Sequence, residues 1–172
     1  MWRFGLGDYE GGGYQLSRTS RLLFLHSSHL AWSYATVNSP LGIDSSIYRN
    51  TLYLYDNALR FGNAFSASIR YDVVDNVGIT FAYDAQNIYP RHLFWQWAGS
   101  KIIESIADGL TSSIRELVLH NSPPASPIVN FILKNGISYA FYELRKKSMN
   151  YPFTSAPSLS VDSFRIGLTF VF

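Results

Sequence analysis

The sequence predicts an all-β fold with one amphipathic helix: an antiparallel transmembrane β-barrel of about eight strands, with truncation left open. Residues 161–172 alternate strictly, with large apolar side chains on one face and arginine, glycine and threonine on the other, as in a strand with one apolar face. Charged residues make up only 15% of the chain and aromatic residues 16%, against roughly 25% charged residues in a soluble domain. The sequence contains no apolar run of the roughly 18 residues that a transmembrane helix needs.

The 172 residues fit a single domain spanning 1–172, with a helical insertion at about 100–119. The net charge of +2 predicts no nucleic-acid partner. No cysteine is present, which excludes a disulfide framework and a thiolate metal site, and we predict no cofactor. Residues 1–5 lack the features of a signal peptide. Because a barrel must be exported, we expect either a mature form with an added methionine or a fragment that lacks its beginning.

Residues 51–84 read as three strands joined by tight turns at Gly62-Asn63 and Asp75-Asn76. Their apolar residues share one parity with those of the last strand, and small or charged residues lie opposite. We therefore predict that one set of apolar side chains lies on the outside of a closed or nearly closed sheet: Phe65, Ile69, Tyr71, Ile79, Phe81, Ile166, Leu168 and Phe170. A soluble β-rich binding domain would show the same alternation with this face inward, so that alternative stays open.

The other segments are less regular. Residues 2–18 are strand-like, but a glycine-rich turn is predicted at 8–13. Residues 20–35 predict a strand with a bulge near residues 26–29, and residues 38–44 predict a longer loop. Asn135-Gly136 lies between two apolar runs and predicts a β-hairpin, followed at residues 145–147 by a loop that faces solvent or lipid headgroups.

Residues 100–119 interrupt the β pattern with apolar residues at helical spacing, and Ser100 is the predicted N-cap. The apolar residues form one stripe: Ile103, Ile106, Leu110, Ile114 and Leu117. This helix is expected to pack that stripe against the barrel, to lie in the membrane interface or to plug the lumen. An ordinary surface helix that covers a sheet is the alternative.

One short motif carries a resemblance. Ser27-Ser28-His29-Leu30 resembles the Ser-Ser-His-Leu motif of a family of uncharacterised bacterial outer-membrane β-barrels. That family places a histidine two positions before the first serine, where this chain has Leu25, and it continues with Gly-Asp-Glu where this chain has residues 31–33. The resemblance implies a barrel fold and a bacterial outer-membrane location, with lipid or lipopolysaccharide as partner. No protein partner can be inferred.

A second resemblance concerns catalysis. His26-x-Ser28 is similar to the His-x-Ser motif of the outer-membrane lipid A 3-O-deacylases, although the asparagine that follows there is His29 here. Residues two apart on a strand share a face, so His26 would be placed to take the proton from Ser28 Oγ as a general base. A third group must orient the histidine, and Glu143 and Asp72 are both candidates. The alternative is a structural role for the histidines in the barrel wall or rim.

Polar residues on the other parity are candidates for binding. We assign His29, Arg70 and Asp72 to this role, and we expect Arg70 and Asp72 to join Asp84 and Arg165 on the side away from lipid. A small barrel is filled by its own side chains, which favours a packed polar network over a pore. No metal site is predicted, because His26 and His29 have opposite parity. The predicted function is an outer-membrane barrel with a structural or ligand-binding role, and the alternative is a lipid acyl-ester hydrolase.

Overall fold

A computed structural model describes residues 1–36 and 52–170 of the chain. Five strands form one antiparallel sheet in the order β1-β2-β3-β4-β5, and a helical hairpin separates β4 from β5 along the chain. The elements are β1 (Trp2–Gln15), β2 (Arg21–Ala35), β3 (Ala58–Val74), β4 (Val77–Ile88), α1 (Phe94–Asn121), a short 3-10 turn (Pro123–Ala125), α2 (Ser126–Lys147) and β5 (Leu159–Phe170). The mainly β, antiparallel fold is confirmed. The sheet is open rather than closed into a barrel, and β1 and β5 are the edges of its described part.

The register divides the sheet into two faces. Ile69, Phe81 and Ile166 are cross-strand neighbours in one row, which confirms that the apolar residues of three strands share a face. The helical hairpin packs on this face, which we call the helix-side face. The opposite face, called the far face, carries small and charged side chains, among them Ser66, Ser68, Arg70, Asp72, Ala82 and Asp84.

The sheet is strongly curled toward its far face. Arg3 of β1 donates a hydrogen bond to Gln86 of β4 at 3.2 Å, and Gln86 in turn donates to Ser33 of β2 at 2.6 Å. On a flat sheet, Arg3 and Gln86 would lie three strand spacings apart and offset along the strands, with about 19 Å between their Cα atoms. Because two side chains do not bridge that distance, twist and curl must bring β1 and β4 together across the far face.

Several segments that the sequence predicts as turns lie inside strands. The turn predicted at Gly62-Asn63 is wrong, because β3 continues through both residues and a Cβ atom at Gly62 would overlap with the carbonyl oxygen of Asn87. The turn at residues 8–13 is also wrong, since β1 pairs with β2 throughout. The bulge near residues 26–29 is absent, because β2 keeps one register from Arg21 to Ala35 with both of its neighbours. The turn at Asp75-Asn76 is confirmed, and the loop at 38–44 lies outside the described residues.

The β-hairpin predicted at Asn135-Gly136 is wrong, because both residues lie inside α2. Phe131, Asn135 and Tyr142 recur at helical spacing and meet the sheet: Phe131 contacts Phe24, Asn135 binds His26, and Tyr142 packs on Phe65. These tertiary contacts override the local turn signal. The predicted loop at residues 145–147 is the last turn of this helix.

The predicted helix at residues 100–119 is confirmed within the longer α1, but the first of the expected arrangements, with the apolar stripe against the sheet, is wrong. Ser100 is not an N-cap, because α1 begins six residues earlier and Ser100 is buried against Arg145. The apolar stripe does not pack against the sheet: Leu110 is 71% exposed and Leu117 62%. The polar side of α1 faces the sheet instead.

The helical hairpin is fastened to the sheet at Asn87 of β4, which is 1% exposed. Its amide Nδ2 donates to the carbonyl oxygen of Tyr142 in α2 at 3.0 Å, and its Oδ1 accepts from the hydroxyls of Ser158 and Ser160 at 3.0 and 2.7 Å. One buried amide therefore joins β4, α2 and the start of β5. A small apolar core of Phe65, Ala85 and Tyr142 lies beside it.

Candidate functional site

A polar cavity of about 250 Å³ lies between the helix-side face and the helical hairpin. The sheet contributes two carboxylates, a histidine and a serine, α1 contributes charged residues and a serine, and α2 contributes a lysine. The lining side chains are Asp8, Glu10, His26, Ser28, Lys101, Glu104, Ser105, Asp108, Lys134, Ile137 and Ser138. The sheet and the hairpin thus meet here mainly through polar groups, which makes this cavity the candidate site.

The imidazole of His26 has a defined tautomer. Asn135 Nδ2 donates to the carbonyl oxygen of Phe131 at 2.8 Å, which fixes the orientation of the amide and turns its Oδ1 toward His26 Nδ1, 2.8 Å away. Because Oδ1 is an acceptor only, a neutral imidazole in this position carries its proton on Nδ1 and has its lone pair on Nε2. This leaves Nε2 able to accept a proton, as a general base must.

Ser28 lies two residues along β2 from His26, on the same helix-side face, and borders the same cavity. The imidazole ring leans toward Phe65, the cross-strand partner of Ser28, with ring centroids 6.5 Å apart. No hydrogen bond joins His26 to Ser28 within the described residues. The structure therefore brings the predicted pair into one cavity without forming the bond of a closed catalytic pair.

Neither predicted acid reaches His26. Asp72 lies on the far face, where Arg70 and Arg21 bind its carboxylate at 2.6 and 3.6 Å, so its candidacy as the orienting acid is wrong. Glu143 pairs with Lys146 at 2.7 Å and lies eight residues along α2 from Asn135, about 12 Å at the rise of an α-helix. The orienting group beside His26 is the amide of Asn135, which the sequence assigned to a turn.

The residues assigned to binding do not form one site. Arg70 and Asp72 bind each other on the far face. His29 lies on the same face, but its cross-strand partner Ala64 is six residues from Arg70, about 20 Å along a strand. The four residues expected to form one packed polar network lie on this face as two separate ion pairs. Asp72 binds Arg70, and Arg165, whose side chain is 63% exposed, places its Nη2 3.3 Å from the carboxylate of Asp84.

The ion pairs at the cavity could not be predicted from the sequence. Glu104 Oε2 accepts from Lys101 Nζ and from Arg145 Nη2, each at 2.7 Å. Lys134 Nζ bridges Glu10 and Asp108. The sequence predicts a turn at Glu10 and a solvated loop at Arg145, so it does not indicate these ion pairs. Asp8 and Glu10 continue the alternation of Phe4 and Leu6. This alternation is the one signal in the sequence that could have extended the predicted first strand through residue 10.

Burial raises the pKa of the Glu104 carboxyl, but Arg145 and Lys101 outweigh this effect and hold the pKa below its ordinary value. The folded pKa therefore lies below the unfolded one, and the stabilisation is present above the unfolded pKa and lost as pH falls through the folded pKa. We expect the denaturant concentration at the midpoint of unfolding to decrease when the pH falls below about 4.5. Glu104→Gln should remove part of this pH dependence.

Denaturant titrations between pH 3 and pH 7 test this expectation. Glu116→Gln is the matched control, because Glu116 is exposed on the same helix. If the two variants have the same pH dependence as the wild type, Glu104 does not contribute to acid sensitivity.

Among the described residues, no group of three or more histidine, cysteine, aspartate or glutamate side chains is placed to hold a metal ion. None of the helices described is long and apolar enough to cross a membrane. Comparison of the chain with protein-family models, with curated proteins and with solved structures finds no match.

Proposed function

We propose that the chain is an integral outer-membrane protein of the β-barrel type with a structural or ligand-binding role. The observation that supports this most is the exposure of large apolar side chains on the surface of the sheet. Phe164, Ile166 and Leu168 of β5 are 65–86% exposed on the helix-side face, and Phe81 of β4 is 55% exposed beside them. Soluble monomers rarely expose a continuous apolar surface of this kind.

The helical hairpin likewise exposes apolar side chains. The apolar stripe of α1 points away from the sheet, whereas Lys101, Glu104 and Asp108 point toward it and border the polar cavity. An ordinary surface helix has the opposite orientation. Lipid is the surrounding that makes both exposures favourable, and this argues against the alternative of a soluble β-rich domain.

The far face supports the same proposal. It is polar, ion-paired and strongly curled, like the inner wall of a small barrel. A barrel of about eight strands would need strands beyond the five described, and pairing of both edges, β1 and β5, with such strands would satisfy their free backbone groups. Six of the eight predicted outward residues are exposed. Ile79 is half-buried, and Phe65 is buried because Tyr142 of α2 covers it.

Site-directed labelling tests the proposal, since the chain has no cysteine of its own. We expect an environment-sensitive dye at Ile166→Cys to report an apolar surrounding and to be quenched by brominated lipid in reconstituted vesicles. Thr169→Cys, on the other face of the same strand, is the matched control and should not be quenched. Equal labelling of both positions by a water-soluble reagent would contradict the proposal.

The pair His26 and Ser28 supports a second candidate function, an acyl-ester hydrolase that acts on a membrane lipid. The supporting observation is the contact between His26 Nδ1 and Asn135 Oδ1, because a base held by a third group is the arrangement of a nucleophile–base–orienter set. Ser28 Oγ would attack the ester carbonyl as His26 Nε2 takes its proton. The protonated imidazole would then protonate the departing alkoxide, and water would release the acid.

The first experiment for this candidate is direct. Purified protein is incubated in mixed micelles with lipid A or phospholipid, and free fatty acid is measured. Turnover above the protein-free control supports the hydrolase. Its absence leaves the first proposal, which does not require catalysis.

A further inference from the structure

We infer that an aromatic cavity beside Phe61 binds a single-chain fatty carboxylate. This cavity measures about 490 Å³ and lies where β2 and β3 meet the start of α1. It is separate from the polar cavity of His26 and Ser28. The inference deepens the ligand-binding part of the proposed function by naming a ligand class.

The body of the cavity is suited to a hydrocarbon chain. Phe61 stands at its centre, with the rings of Trp32, His92 and Trp97 at centroid distances of 5.4, 4.9 and 5.4 Å. Tyr89, which is 2% exposed, closes one side. The volume falls within the range of roughly 300–1,000 Å³ that is typical of small-molecule sites, and such sites are mostly apolar with a few polar groups.

The charge of the cavity selects an anion. Arg91 lines it, and none of the described lining residues is acidic. Arg91 forms no ion pair within the described residues, whereas Arg60 lies on the far face of β3, opposite Phe61. A guanidinium presents parallel N–H donors that match the two oxygens of a carboxylate. The apolar walls and these unpaired donors together match a fatty carboxylate.

The position of the cavity is also informative. Leu30 lines it and is the next residue after Ser28 on the same face of β2, about 7 Å further along the strand. A chain in this cavity therefore lies beside the polar cavity, within the surface that we propose to face lipid. Binding does not require hydrolysis.

Tryptophan quenching by a dibrominated stearate tests the inference with the full chain in neutral detergent micelles. Trp32 and Trp97 line the cavity, whereas Trp2 and Trp95 are 82% and 84% exposed. We expect saturable quenching by the carboxylate and at least tenfold weaker binding of its methyl ester. Trp97→Phe should reduce the quenching amplitude, because it removes one of the two tryptophans that line the cavity.

The arginine variants supply the second arm. Arg91→Gln should weaken binding of the carboxylate at least several-fold. Arg18→Gln, in the exposed connection between β1 and β2, is the matched control and should bind as the wild type does. If Arg91→Gln does not fold by circular dichroism, the methyl ester decides the question.

Three results would overturn the inference: quenching that does not saturate, equal affinity for acid and methyl ester, or wild-type affinity in Arg91→Gln. The membrane proposal is judged separately. A protein whose position 166 is quenched by brominated lipid but which does not bind the carboxylate contradicts this inference alone.

Discussion

Replacing Arg145 with leucine is expected to lower the free energy of unfolding by about 3–5 kcal/mol, the usual cost of breaking a buried ion pair. The side chain of Arg145 is 3% exposed, and its Nη2 donates to Glu104 at 2.7 Å and to Ser100 at 3.1 Å. It also lies over the ring of Phe141, 5.5 Å from the centroid. The substitution leaves Glu104 buried with Lys101 as its remaining cation. It also removes the ion pair and the hydrogen bond by which Arg145 joins α2 to α1.

Urea or guanidinium unfolding in a fixed detergent measures this cost. Lys147→Leu is the matched control, because it removes an exposed cation from the same helix turn, and we expect a change within about 0.5 kcal/mol. Combining Arg145→Leu with Glu104→Leu should restore part of the loss, since the stranded carboxylate is then gone. A cost for Arg145→Leu that equals the control would show that this clamp does not stabilise the hairpin.

Ser28→Ala and His26→Ala are each expected to reduce release of fatty acid to the uncatalysed level, if the chain is a hydrolase. The double variant should lose no more than either single variant, because nucleophile and base act as one unit. Ser27→Ala is the matched control: Ser27 is the neighbouring serine of β2, on the far face of the sheet. Its activity should match the wild type.

Asn135 gives a further readout for the same reaction. Asn135→Asp keeps an acceptor opposite His26 Nδ1 and should retain activity, with the acidic limb of the pH profile shifted upward because the added negative charge favours the protonated imidazole. Asn135→Leu removes the acceptor and should lower kcat more than it changes KM. Activity that survives Ser28→Ala but not Asn135→Leu would place the chemistry elsewhere.

The part of the fold that the sequence predicted correctly is the part in which local pattern and tertiary context agree. The alternation in β4 and β5 predicted which side chains share a face, and Asp75-Asn76 was recognised as a turn. Asn135-Gly136 failed because the same segment also presents Phe131 and Tyr142 at helical spacing, and their contacts with the sheet decided between the two. The glycines near the N-terminus suggested a loop, although β2 pairs with every residue there.

The candidate site was predictable only where it lies on one strand. Parity alone places His26 and Ser28 on one face. Glu104 lines the cavity, Asn135 binds His26 and Arg145 binds Glu104 because the hairpin folds over the sheet, and no local spacing encodes that arrangement. The orientation of α1 was also beyond the sequence, because an amphipathic pattern separates two faces but does not say which one meets protein and which meets the surroundings.

The place of the hairpin between β4 and β5 has a consequence for the order of folding. β3 and β4 are joined by Asp75-Asn76 alone, whereas residues 89–158 separate β4 from β5. Closing the longer connection costs about 3 kcal/mol more chain entropy than closing the two-residue turn. The antiparallel helices reduce this cost once formed, because the contact between Glu104 and Arg145 brings the two ends of the segment together. We expect pulse-labelled hydrogen exchange to detect protection in β3 and β4 first, and in β5 only after the hairpin has assembled.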